Sequence, residues 1–321
     1  MARVSFFLSD YLGQQEFEGH ISGDGCRAIL ALAEASKKIA SLSRYNGLDG
    51  NLGAVLSDKN EDGDSQKALD VAADELLEEA LRFASVSAYL SEERDGVVIL
   101  SDGGNLLVAC DPLDGSSNID TNLTVGTIFS LLPYDGHSVL MRGDSQIAAG
   151  FFAYGPQTSL LLTLGHGVIA FCLDDAGEFR RMDWQINVPK TTSEFAINAS
   201  NSRHWHQEIR NYIDSLLAGR TGPRAKNFNM RWAGSLVADA LRIFRRGGIF
   251  LYPSDKREGY ERGRLRLVYE ANPIAFLVEQ AGGSAHDGQT RILEIKPHKL
   301  HQRIPLIFGS ADEVDPLCKG T

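Results

Sequence analysis

Residues 106–120 read LLVACDPLDGSSNID: an apolar run, Leu106 to Cys110, delivers two aspartates three positions apart and then Gly115-Ser116-Ser117. A short continuous apolar run of this kind predicts a strand buried on both faces. Its carboxylates then emerge where the strand ends, which puts Asp111 and Asp114 at the C-terminal edge of a sheet. Pro112 has no N–H and is expected to stop the ladder there. Gly115 permits a tight backbone, and the amides of Ser116 and Ser117 are expected to face an anion.

The composition sets bounds on what such an edge could serve. The chain has 321 residues, enough for one large core or two medium ones, with 43% hydrophobic and 23% charged residues, the proportions of a globular protein. No apolar stretch reaches bilayer length, and MARVSFFLSDYLGQQ lacks the pattern of a signal peptide, so the chain is expected to be cytoplasmic and without a membrane partner. Cys26, Cys110, Cys172 and Cys318 show no CxxC spacing, which fits free thiols and no zinc site. A formal charge of −10 argues against nucleic acid or an anionic membrane as partner. An anionic substrate would need local help from metal ions or clustered arginines.

Residues 23–42 place apolar side chains at helical spacing, with Lys37 and Lys38 toward the C-terminal end of the dipole. The polar stretch 46–64 reads as a long functional loop, and 66–83 as a second helix. Short β-rich runs follow through 86–93, 96–100, 105–110, 125–132, 147–153, 159–164 and 167–173. A boundary is expected near 187–193, which divides an N-terminal subdomain, 1–190, from a C-terminal one, 191–321. The second part mixes helices (204–218, 234–246, 273–281) with strands (194–198, 248–252, 304–308). The class is α+β or α/β with layered sheets.

Acidic groups on loops or element ends, Asp64, Asp70, Glu92, Glu93, Asp111, Asp114 and Glu270, would converge on one cleft if successive strands empty at one edge. Such carboxylates repel unless cations join them. A ligand set of oxygens selects hard cations, Mg²⁺ or Mn²⁺ before Zn²⁺. Hard metals beside helix-start amides equip a site for phosphoryl transfer, and with no GxxxxGK[ST] loop, water is the expected acceptor. A serine hydrolase is disfavoured by the lack of a GxSxG elbow. The histidine pairs 204/206 and 298/301 have poor spacing for a metal. Arg264 and Arg266 alternate on RLRLVYE, read as a strand that places both guanidiniums on the face of Glu270. Two other readings stay open: an aspartyl-nucleophile phosphatase, although the spacing is DxxDG rather than DxDG, and a sugar-phosphate binder without turnover.

With these residues in hand, the sequence resembles class I fructose-1,6-bisphosphatase, within the lithium-sensitive, metal-dependent sugar phosphatase superfamily. The likeness runs from Gly23 to Asp312 and rests on SEE, DPLDGSSNID with VGTIF, GGIFLYP, LRLVYEANPIAFLVEQAGG and HQRIPLIFGS. The resemblance implies a layered α-β-α-β-α sandwich and hydrolysis of the 1-phosphate of fructose 1,6-bisphosphate. Metal ions (Mg²⁺, with Mn²⁺ or Zn²⁺ possible) would be held by Glu92, Asp111, Asp114, Glu270 and the Leu113 carbonyl. Glu93 and Asp70 match the pair that activates water, and Asn60 and Asp64 the mobile loop that closes over the site. Gly115, Ser116, Ser117 and Arg266 match the 1-phosphate pocket, and Arg264 stands where a sugar-contacting Lys is usual. Asn198, Tyr252 and Arg231 match 6-phosphate ligands, with Arg231 reaching a neighbouring subunit of a homotetramer.

Departures qualify the resemblance. Trp232 and Asn201 replace tyrosines of the 6-phosphate pocket, and Arg264 exchanges an ammonium for a planar fork. These changes leave sedoheptulose 1,7-bisphosphate as an alternative or second substrate. The family's AMP site looks dismantled: Asn105, Leu106 and Pro133 replace its cationic and aromatic contacts. Asp24 sets a carboxylate where the nucleotide phosphate would lie. AMP titration of the activity is accordingly expected to show no half-inhibition at low micromolar concentration.

Overall fold

A computed structural model describes residues 6–45, 55–59 and 65–318. Helix α1, Leu8–Phe17, precedes α2, Gly23–Arg44, which Ser22 caps by accepting the Gly25 N–H at 3.2 Å. Strands β1, Val55–Lys59, and β2, Ser65–Lys67, pair antiparallel, so part of the stretch expected to be loop is a hairpin. Helix α3, Ala68–Arg82, follows directly.

Strands β3 (Ala88–Ser91), β4 (Val98–Ile99), β5 (Leu106–Asp114), β6 (Val125–Pro133), β7 (Ala148–Tyr154), β8 (Thr158–Thr163), β9 (Ile169–Leu173) and β10 (Phe179–Arg181) form one mixed sheet. Its order is β10-β9-β8-β7-β6-β5-β3-β4, with β3 and β5 parallel. Strand β11 (Glu194–Ile197) leads to helix α4 (Gln207–Leu217), strand β12 (Asn229–Met230), helix α5 (Leu236–Arg246) and strand β13 (Ile249–Tyr252). Strand β14 (Leu265–Arg266) passes through a π turn, Leu267–Ala271, into helix α6 (Asn272–Gln280). Strands β15 (Ser284–His286), β16 (Arg303–Ile304) and β17 (Leu306–Gly309) and helix α7 (Ala311–Val314) complete the described chain. The second sheet has the order β12-β11-β13-β17-β15, and β14 pairs with β16 apart from it.

Period-2 alternation explains the layering. Phe129, Phe152, Leu160 and Leu162 face α1, α2 and α3, while Ile128, Phe151 and Leu161, one residue out of phase, face α5 and α6. Phe250 and Phe308 of the second sheet close that middle layer from the other side. Phe195, Ile197, Ile249 and Leu251 point outward to Tyr212, Ile213 and Leu216 of α4 and Val314 of α7. The result is the expected α-β-α-β-α sandwich.

Two expectations need correction, and one helix escaped the sequence pattern. Pro112 does not end its strand: β5 runs on to Asp114, pairing Asp111 with Ile128 and Asp114 with Gly126, so two residues oppose Thr127 alone. In this bulge the missing Pro112 N–H costs nothing, and the Thr127 hydroxyl, at 2.8 Å, satisfies its carbonyl. RLRLVYE is not a strand throughout; it leaves the β conformation after Arg266 for the π turn Leu267–Ala271, which runs into α6 at Asn272, one residue before Pro273. Helix α1 carries no clear signature because only Leu8, Leu12 and Gln15 are buried and Phe17 is exposed.

The approach of β6 to β7 and α5 fixes where the bulge lies. A Cβ at Gly126 would sit 2.2 Å from the Phe152 carbonyl oxygen and 2.7 Å from Val237 Cγ2. A carbonyl within a sheet cannot move aside, so Gly126→Ala is expected to cost roughly 3 kcal/mol by overpacking, read as a fall of several degrees in thermal unfolding.

Candidate active site

The bulge in β5 sets the geometry of the site. The parallel neighbour β3 delivers Glu92 and Glu93 just past its end, and the Glu92 N–H donates to the Cys110 carbonyl at 3.0 Å, so both strands empty at the same edge. The Glu93 N–H donates to Ser91 Oγ at 3.1 Å, which tightens the turn. Asp111 accepts the Leu113 N–H at 3.0 Å, an Asx-type bond across the bulge. Glu270 arrives on the π turn and folds back, accepting the Arg266 N–H at 2.5 Å.

Carboxylate oxygens of Glu92, Asp111 and Glu270 thereby lie within 4.8 Å of one another, with Asp111 and Glu270 buried. Burial, then the charges of Glu92, Glu270, Asp114 and Glu93, push the Asp111 carboxyl well above the usual carboxylate range. Glu270 is raised by burial and by Glu92, against the Arg266 N–H that it accepts. Acids held this way either keep protons or share a cation, and a set made only of carboxylate oxygens fits a hard divalent ion.

Asp114 is buried beside this trio but faces α5. One oxygen accepts Ser235 Oγ–H at 2.9 Å and the Val237 N–H at 2.8 Å; the other accepts the Leu236 N–H at 3.3 Å. A carboxylate at a helix N-terminus is favoured by the dipole, and its remaining lone pairs are still available to an ion. Gly115 follows at φ 76°, and a Cβ there would sit 2.8 Å from Ser235 Cβ, so this turn needs glycine twice over. Ser116 and Ser117 open a short 3₁₀ helix, Ser116–Thr121, whose first bond runs from the Asn118 N–H to the Gly115 carbonyl, leaving the two serine amides ahead of it. Asp239 of α5 holds the neighbouring loop through the Ala233 and Gly234 N–H groups, and burial pushes its carboxyl up to about 6.

Arg266 is buried, with Nε 3.5 Å from a Glu92 oxygen, so its guanidinium belongs to the acidic cluster. Its i,i+4 relation to Glu270 follows from the helical turn, not from a shared strand face. Arg264 lies over the Tyr260 ring at 4.6 Å, near enough to Tyr252 to oppose the burial that raises that phenol. Parallel strands β11 and β13 pair Ile197 with Leu251, which sets Asn198 and Tyr252 side by side at their C-terminal ends, where α/β sheets receive ligands. Asn198 caps the turn that carries Asn201, and Trp232 stacks on Phe250 and meets Tyr252 edge-on. Arg231 is exposed at the edge strand of this sheet, its N–H bonded to the Phe195 carbonyl at 2.7 Å. Asn60 and Asp64 lie outside the described residues.

Asp70 is buried in the first turn of α3, not on a loop. One turn on, Asp74 accepts from Tyr89 Oη–H at 2.9 Å and pairs with Arg94, the residue after Glu93. Arg94 also reaches Glu78 at 2.6 Å, while its carbonyl meets His301 Nε2 at 2.9 Å. Helix α3 and the Glu92-Glu93 turn are thus clamped together. This clamp was not read from the sequence; the available signal was the i,i+4 spacing of Asp70 and Asp74.

Both halves of the chain match family models: fructose-1-6-bisphosphatase N-terminal domain over residues 8–183, and the C-terminal domain over 188–320. The chain belongs to the fructose-1,6-bisphosphatase family. It is 51% identical over 317 residues to the class 1 fructose-1,6-bisphosphatase of Azorhizobium caulinodans, covering 96% of this chain and 95% of that one. A class 1 relative from Xanthobacter autotrophicus is 51% identical over 300 residues, 91% of each chain. The holo form of Leishmania major fructose-1,6-bisphosphatase superposes with a TM-score of 0.89 at 34% identity, covering 98% of both chains. Nothing among these relatives supports the sedoheptulose alternative. Among the described residues no helix is long and apolar enough to cross a membrane.

Removing the guanidinium of Arg94 would leave the nearly inaccessible Asp74 without a cation, while Glu78 would keep Arg82. Arg94→Met is expected to destabilise by about 2–3 kcal/mol, discounted because Arg94 is itself partly exposed. In denaturant unfolding, Asp74→Asn combined with Arg94→Met should cost less than the sum of the two single changes.

Proposed function

We propose that the cluster of Glu92, Asp111 and Glu270 with Arg266 is where this fructose-1,6-bisphosphatase hydrolyses the 1-phosphate of fructose 1,6-bisphosphate to fructose 6-phosphate and inorganic phosphate. The observation that carries this assignment is the three carboxylates within 4.8 Å of one another beside a buried arginine, in a chain that matches both halves of the family. Glu92, Asp111, Asp114, Glu270 and the Leu113 carbonyl would hold the metal, with Mg²⁺ proposed and Mn²⁺ or Zn²⁺ as alternatives. Such an ion supplies neutralisation of phosphoryl charge and acidification of a bound water.

The chain's own groups then divide the remaining work. Glu93, with Asp70 behind it, takes the proton of the attacking water; the new O–P bond forms as the P–O bond to C1 breaks, and an equivalent proton passes from the solvent to the departing alkoxide. Arg266 and the amides of Gly115, Ser116 and Ser117 hold the transferred phosphoryl group, and Arg264 faces the sugar. Asn198 and Tyr252 hold the 6-phosphate, joined by Arg231 from a neighbouring copy in a homotetramer; the exposure of Arg231 supports its reaching outward. Asp64 is assigned to a closing loop, and residues 1–190 and 191–321 to two subdomains that each supply one side of the site.

Little AMP inhibition belongs to the same proposal. The groove between the α1–α2 turn and the β5–β6 edge, about 620 Å³, is lined by Ser22, Asn105, Leu106, Pro133 and Asp135 among others, and among the described residues by no Lys or Arg. Asp24 pairs with Arg27 instead of leaving that cation for a phosphate.

Phosphate release with and without added Mg²⁺ tests the assignment. Asp111→Ala should raise the half-saturating Mg²⁺ concentration at least tenfold and abolish most turnover. Glu93→Gln should lower kcat by roughly 10²–10³ with little change in Mg²⁺ activation. Near wild-type rates in either variant would overturn the assigned roles.

A further inference from the structure

A groove rich in cationic side chains lies outside the acidic cluster. Between the loop that precedes β14 and the one that precedes β16 there is a groove of about 400 Å³, lined by Arg262, His298, Lys299, Gln302 and Arg303, with Glu261 the one carboxylate at its rim. Gln302 is only 9% exposed. Its Oε1 accepts the His298 N–H at 2.9 Å, which fixes the amide orientation, and its Nε2, a donor of two hydrogens, has no partner among the described residues. That donor is open to the groove, where an anion can accept from it. Arg262 and Lys299 form no ion pair with Glu261 or any other described residue.

We infer that this groove binds the phosphoryl group of a small anionic metabolite. Arg262, Lys299, the His298 imidazole and the Gln302 amide can each donate, and a charge-dense dianion accepts from several of them at once. Among the lining residues no aromatic ring other than His298 offers a base a stacking surface, which favours a phosphate ester without a base over a nucleotide.

The groove is wired to the catalytic cluster by its backbone. The Gln302 carbonyl accepts the Leu267 N–H at 2.8 Å at the start of the turn that carries Glu270. Next to it, His301 meets the Arg94 carbonyl at 2.9 Å and lies 5.4 Å from the Tyr269 ring. An occupant that draws Lys299 and Gln302 together therefore fixes both turns that position the metal carboxylates. This coupling, though not the binding, rests on the site roles proposed above.

The test is equilibrium dialysis of inorganic phosphate against the full chain at saturating Mg²⁺, repeated with glycerol phosphate as competitor. Arg262→Ala/Lys299→Ala is expected to bind one phosphate equivalent per chain fewer than the wild type, whereas Asp111→Ala retains the groove equivalent. Displacement from the groove by glycerol phosphate at tenfold lower concentration assigns it to an ester, and displacement only by phosphate assigns it to the free ion. Glycerol phosphate should also lower the half-saturating Mg²⁺ concentration at least threefold in the wild type and not in the double variant, whose activity without added anion should stay within twofold. Equal stoichiometry in wild type and Arg262→Ala/Lys299→Ala would overturn the binding site. An unchanged Mg²⁺ requirement would overturn the coupling, and a failure confined to Asp111→Ala would bear on the catalytic assignment alone.

Discussion

Mutual repulsion among buried carboxylates is the constraint that the rest of this molecule is arranged around. With oxygens of Glu92, Asp111 and Glu270 no more than 4.8 Å apart, each ionised pair repels by about 3 kcal/mol or more at an effective dielectric constant near 20. No flexible segment would hold such a set together against that force. Each acid is therefore mounted on backbone fixed from several directions. Glu92 is held by the Cys110 carbonyl and the clamp beyond it, Asp111 by a bulge between two core strands, and Glu270 by a turn that locks onto its own Arg266 N–H.

The layers make this rigidity possible. The first sheet is packed on both faces, so a one-residue slip of β5 would exchange Val108 and Cys110 with Leu107 and Ala109 between two cores, each packed for the other set. Helix α5 lies between the sheets with its N-terminus aimed at Asp114, so the middle layer contributes a positive dipole end to an otherwise negative pocket. The second sheet brings the C-terminal ends of β11 and β13 together, so Asn198 and Tyr252 stand on different elements from Glu92, Asp111 and Glu270. Polar partners far from the chemistry, such as Thr127 on the Pro112 carbonyl, close hydrogen-bond accounts that irregular backbone opens.

Much of this was legible in residue order because burial leaves periodic traces. The alternation through Phe151 and Phe152, the helical spacing in α2 and α3, and the acidic endings after apolar runs each follow from one local rule. What escaped were places where two rules compete. Pro112 argues for a strand end, but a bulge accepts it because the ladder skips a donor there. RLRLVYE alternates like a strand, yet Arg266 and Glu270 also stand four apart, and the helical alternative wins once Leu267, Val268, Tyr269 and Ala271 can all be buried at once. Helix α1 is held chiefly by Leu8 and Leu12, too few apolar positions to declare a period. The pairing of Asp74 with Arg94 joins residues twenty positions apart, and only the folded chain brings α3 against the β3 turn.

The wide turn at Leu267–Ala271 carries a consequence for how this family can drift in sequence. An α-helix advances about 100° per residue, and a π turn is in effect one residue inserted into that progression. The compass bearing of the Glu270 carboxylate is thus set by a count of peptide units rather than by the identity of the side chains between. Neighbouring apolar positions can exchange for others of like volume, whereas losing a single residue from the loop of five would swing the acid about a quarter-turn away and leave the pocket's inventory intact but wrongly aimed.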